Sequence, residues 1–154
     1  MGMLFLGIFI LPVFYIHWAQ KNKGKLFLKH FTSTAAKNQV NVSESDMWNS
    51  RCIGIDKISG KFFALKKDND QEETMLIDLK EIDNCIVSPT YRNIKGGKAN
   101  KILERIDLTF TNKNSNIPGK NINFYNSNDN SPLGEEQVLA EKWASIINNY
   151  LQNK

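Results

Sequence analysis

Hydrophobic and polar positions divide the chain after residue 19. Met1 to Ala19 holds no Lys, Arg, Asp or Glu, and the remainder is polar throughout. The first stretch reaches the length of a transmembrane helix, whose backbone bonds are satisfied internally. Pro12, Gly2 and Gly7 are compatible with such a helix, and Tyr15, His17 and Trp18 stand where aromatic rings meet headgroups. From Lys25 to Gln39, Phe27, Leu28, Phe31 and Ala35 recur at helical spacing and predict a juxtamembrane helix. Val40 to Ser50 has no period, and Trp48 reads as the lead-in to a strand.

A period of two then begins. Cys52 to Asp56 and Lys61 to Lys66 form a predicted hairpin around Lys57-Ile-Ser-Gly60, where Gly60 is suited to positive φ. Asp68 to Glu73 reads as a hydrophilic connection. Thr74 to Leu79 alternates, and Cys85 to Ser88 is a further strand within Ile82 to Tyr91. Arg92 to Lys101 is a basic, glycine-containing loop. Ile102 to Thr111 points Ile106, Leu108 and Phe110 inward and Asp107 outward. Asn112 to Gly119 is a turn, and Lys120 to Asn126 is the last strand, with Ile122 and Phe124 on one face. A closing helix over 132–151 is predicted, with Ser131 as N-cap, Pro132 as first helical residue and a stripe of Leu139, Trp143, Ile146, Ile147 and Tyr150.

Charge changes the picture only at the membrane. The net charge is +4 with a pI near 9.0 and a mean hydropathy of −0.41. This balance is compatible with an anionic surface and does not call for nucleic acid. Lys21, Lys23, Lys25 and Lys29 follow the apolar run with no nearby acid. The positive-inside bias therefore places the run as a single-pass anchor, N-out and C-in, in a bacterial inner (cytoplasmic) membrane. A secretory signal would carry a basic start and a small-residue cleavage site, and a bulky His17 precedes Ala19 by two positions.

Catalysis finds little purchase. The histidines, His17 and His30, both precede the β-patterned region, so no Ser or Cys there has a histidine base. Gly96-Gly97 lacks the frame of a phosphate loop. Cys52 and Cys85 match no metal spacing and are expected to be reduced and packed on the cytoplasmic side. No cofactor or metal is expected. The residues suited to an anionic surface are Lys21, Lys23, Lys25 and Lys29, and in the basic loop Arg92, Lys95, Lys98 and Lys101.

The element order, with Cys52-Ile-Gly-Ile-Asp56, Ile77-Asp-Leu-Lys-Glu-Ile82, Leu108-Thr-Phe110 and Glu141-Lys-Trp-Ala-Ser-Ile146, resembles the pleckstrin-homology-like domains of bacterial membrane proteins. The resemblance spans about Val40 to Leu151. It implies a mainly β (α+β) fold: a bent antiparallel sheet or partly open barrel of six or seven strands over 40–154, capped by the C-terminal helix with Trp143 as plug. It also implies a non-enzymatic binding or scaffold module for a protein partner or an anionic lipid surface. Lipid-binding members hold phosphates with basic residues between their first two strands. The hairpin here offers only Lys57 and Lys61 beside Asp56, and no lipid site is carried over. The alternative is an extracytoplasmic small β-barrel that binds a hydrophobic ligand after signal cleavage.

Overall fold

The computed structural model describes residues 23–93, 101–129 and 132–153. The expected transmembrane helix over 1–19 lies outside them. Among the described residues no helix is long and apolar enough to cross a membrane. Helix α1 covers 23–37. Seven strands follow: β1 (Glu44–Trp48), β2 (Arg51–Asp56), β3 (Lys61–Asp68), β4 (Gln71–Asp78), β5 (Ile82–Asn93), β6 (Lys101–Asn112) and β7 (Lys120–Asn126). A 3-10 turn (Ser127–Asp129) leads to α2 (Glu136–Gln152).

The strands make two antiparallel sheets, β1-β2-β3-β4 and β5-β6-β7, and among the described residues no ladder joins them into a closed barrel. The chain is thus a mainly β α+β fold. Alternation sorts the residues of sheet 1 between its faces. Ile53, Ile55, Phe62, Ala64 and Ile77 face sheet 2 and belong to the central core with Ile106, Leu108, Phe110, Ile122 and Phe124. Cys52, Phe63 and Leu65 face the other way and pack with Phe31, Ala35 and Val40. Sheet 1 is therefore covered on both sides, and every residue of β2 is buried.

Gly54 shows how closely α1 and its exit segment approach. A Cβ there would lie 2.7 Å from Val42 Cγ1 and 3.1 Å from Phe31 Cζ. Glycine is required at this strand position by that contact.

Helix α2 closes the other side. Trp143 is fully buried, edge-on to Phe62 at 5.7 Å, and its indole N–H donates to Asp46 Oδ2 at 2.9 Å. Asn148 is a second clasp: its amide donates to the Cys85 carbonyl (2.7 Å) and its oxygen accepts the Cys85 N–H (3.0 Å). That pair satisfies backbone groups on an edge strand.

Several expectations are corrected. The aperiodic segment before Trp48 contains β1, which pairs with β2 from Glu44↔Ile55 to Trp48↔Arg51. Asp68 to Glu73 is a two-residue turn flanked by ladder, with Lys67 opposite Glu72 and Lys66 opposite Glu73, opposite charges that suit cross-strand pairing. Asp107 is on the outward face yet buried, held by Arg105 Nε (2.7 Å) and Asn123 Nδ2 (2.9 Å). Helix α2 begins at Glu136, not at Pro132, and Glu135 makes no side-chain cap. The buried Glu136 carboxylate instead takes Gly134 N–H at 2.6 Å and Asn49 Nδ2 at 2.8 Å, which fixes the start of the helix.

The β2–β3 turn is tied by Asp56. Its Oδ1 accepts the N–H groups of Ile58 and Ser59 at 3.0 Å each, and its Oδ2 that of Asn41 at 2.9 Å. Gly60 takes φ +71° there, as expected. Burial raises the carboxyl pKa, but the N–H groups of Ser59, Asn41 and Ile58 outweigh it and bring it from 3.8 to about 2.

Two outcomes are expected. Gly54→Val drives a side chain into Val42 and Phe31, so it lowers unfolding free energy by about 1–3 kcal/mol and exposes α1 to trypsin; unchanged urea unfolding and protease resistance contradict this. Asp56→Ala removes stability that is present above the unfolded pKa and lost as pH falls through the folded one. It costs up to about 2 kcal/mol near neutrality. The gap from wild type then closes between about pH 4 and about pH 2. A gap independent of pH contradicts the assignment to the carboxylate.

Candidate functional site

The inner face of sheet 1 changes character along the strands. Three cross-strand rows can be read from the register: Ile55–Phe62–Ile77, then Ile53–Ala64–Met75, then Arg51–Lys66–Glu73. The first row is sealed in the core. In the second, Ala64 is small and Met75 only partly buried. The third is charged. Strand β7 crosses over the last two rows, and a groove of about 430 Å3 lies between, walled by Ile53, Ala64, Met75 and Ile122 with Arg51, Lys66 and Glu73 at its mouth.

Three hydrogen bonds span this gap from sheet to sheet, the third from Arg51 to Asn123. Trp48 Nε1 donates to the Phe124 carbonyl at 3.1 Å, with its ring stacked on Phe124 at 4.3 Å. Lys120 Nζ donates to the Leu76 carbonyl at 3.0 Å. Arg51 is 9% exposed. Its Nη2 donates to Asp129 (2.8 Å) and Asn123 (3.4 Å), while its Nε, also buried, has no acceptor.

The expected surface residues that are described lie on α1 and on the β5–β6 pair. Lys23, Lys25 and Lys29 are exposed on the first half of α1, interleaved with the exposed Leu26 and Leu28. Arg92 and Lys101 are exposed on β5 and β6, beside the exposed Tyr91 and Ile102. There the two strands run on beyond β7 as an arm, from Tyr91↔Leu103 to Asn93↔Lys101. Lys21, Lys95 and Lys98 lie outside the described residues.

The hairpin bearing Lys57 and Lys61 joins β2 to β3, and the hairpin between the first two strands is a two-residue turn at Asn49 and Ser50, both at positive φ. Lys57 is paired with Glu44 at 2.8 Å, and Lys61 reaches the Gln39 carbonyl at 3.4 Å. Sequence reasoning passed over Arg51, whose importance depends on β7 arriving above it.

His30 pairs with Glu72 at 2.7 Å on the surface, away from the groove lining. Among the described residues no group of His, Cys, Asp or Glu is placed to hold a metal ion.

Cys52 and Cys85 are free and buried. Burial pushes both thiols up to about 12, assisted at Cys52 by the charge of Asp46. Protection of these thiols thus follows from the fold and does not report the side of a membrane, as exposed cysteines would. In the native protein, modification by a thiol reagent at pH 8 is expected to keep pace with unfolding, since thiolate is present at about one part in ten thousand. Fast reaction without unfolding would contradict the packed assignment.

Comparison of the chain with protein-family models, with curated proteins and with solved structures gives no match, so its functional reading rests on this geometry.

Proposed function

We propose that this chain is a membrane-tethered, non-enzymatic binding module. It presents a pleckstrin-homology-like domain at the cytoplasmic face of a bacterial inner membrane, to a protein partner or to the anionic surface itself. The observation that carries the reading is the docking of α1. Phe31 and Ala35 are fully buried against the outer face of sheet 1. In sequence, only Gln20, Lys21 and Asn22 separate the apolar run from Lys23. Such a connection spans at most about 14 Å when extended. A run embedded in a bilayer would therefore hold the domain at headgroup level, with Lys23, Lys25 and Lys29 within reach of anionic lipid.

The pleckstrin-homology-like assignment is supported by the order of four strands, three strands and a closing helix whose Trp143 fills the core. Function does not follow from such an order by itself, and a tethered domain gains chiefly in effective concentration for whatever shares its surface. The exposed Tyr91, Arg92, Lys101 and Ile102 of the β5–β6 arm combine apolar and basic groups, the chemistry of a surface contact.

Membrane fractionation tests the tether. The full chain is expected in the membrane pellet after alkaline carbonate extraction, and deletion of residues 1–19 is expected to release it. Recovery of the full chain in the carbonate supernatant contradicts the proposal. Replacing Arg92, Lys95, Lys98 and Lys101 by Gln is expected to weaken binding of the deleted form to anionic vesicles, by about 1 kcal/mol for each residue that touches the surface. Unchanged binding would assign that arm to a protein partner instead.

A further inference from the structure

The groove between the sheets is not used by the tethered-module reading, and its inner face is unusual. Arg51 and Lys66 stand directly opposite each other in the β2–β3 ladder, on the face that otherwise carries the core. Like charges opposite each other destabilise a sheet. Asp129 takes one nitrogen of Arg51, and Glu73 stands across the ladder from Lys66. The buried Arg51 Nε–H still lacks an acceptor, which is costly for a charged donor. Beyond this charged row Ile53, Ala64, Met75 and Ile122 make the wall mainly apolar, with Asn121 and Asn123 of β7 also lining it. A cavity of about 430 Å3 falls in the range of small-ligand sites, which are mainly apolar with a few placed polar groups.

We propose that this groove binds a single-chain amphiphile with a carboxylate head, the chemistry of a fatty acid. Its chain lies along Ala64, Met75 and Ile122, and its carboxylate accepts from Arg51 Nε and Lys66 Nζ. A slender chain fits better than a peptide strand. The Trp48–Phe124 bond and the Lys120–Leu76 bond bridge the sheets at the two ends of β7, leaving only residues 121–123 of that strand between them. Strand addition needs a longer run of free edge. A carboxylate also offers the two acceptors that an Arg–Lys pair can use, and Glu73 opposes it by repulsion. The inference does not depend on the tether, because every group it uses belongs to the β domain.

The test is photolabelling of the full chain in its membranes with a dodecanoate bearing a mid-chain diazirine, followed by peptide mapping. Label is expected on the peptides carrying Ala64, Met75 or Ile122, and a diazirine-bearing dodecylamine is expected to label them about tenfold less, one factor of ten in affinity. Ala64→Phe, which fills the slot, should abolish that label. Glu73→Gln, which is isosteric and at an exposed position, should raise it several-fold at limiting probe. Label confined to residues 1–19, equal labelling by acid and amine, or indifference to Glu73→Gln would each overturn the proposal.

Discussion

Strand β2 is buried along its whole length because apolar layers press on it from both sides. Ile53 and Ile55 enter the central core, while Cys52 and Gly54 lie beneath Val42 and α1. The absence of a side chain at Gly54 allows the layers to close. Helix α1 is thereby made part of the domain, with Phe31 and Ala35 buried on sheet 1. A helix of this length is marginal alone, and its stability derives from the packed face.

The second constraint is the meeting of the sheets. Among the described residues no ladder joins them, so side chains do. Trp143 reaches from α2 into the core to meet Phe62 and Asp46 of sheet 1. Asp46 also holds Lys142 at 2.6 Å, a hydrogen bond that raises the ammonium pKa. Trp48, Arg51 and Lys120 also bridge sheet 1 and β7, and the groove lies among these bonds.

Where one face of an element was apolar, the sequence was readable. The alternations at Ile53 and Ile55, at Ile106, Leu108 and Phe110, and at Ile122 and Phe124, all mark core faces, and the Trp143 stripe marks α2. Strand β1 was hidden because Glu44-Ser-Asp-Met-Trp48 has no apolar face; Asp46 points toward the indole of Trp143 and is satisfied there. The polar ends of β3 and β4 looked like a loop because neither face is apolar there, and the strand ladder continues without burial. The start of α2 was misplaced because Glu136 caps from within the helix through Gly134 and Asn49, a partner 87 residues away. Arg51 and Asn148 were illegible for the same reason: their roles are set by elements distant in sequence. Of the expected surface residues, Lys23, Lys25, Lys29, Arg92 and Lys101 are solvent-facing, which ordinary lysines and arginines also are.

Helix α1 is a layer of the domain and not a linker attached to it. Hydrogen exchange of the full chain in its membranes measures this directly. Amides of residues 28–37 are expected to exchange as slowly as those of β2 and β3, through the same global opening. Exchange of α1 within the time of an isolated helix, while β2 stays protected, would contradict the account and return the segment to a mobile linker.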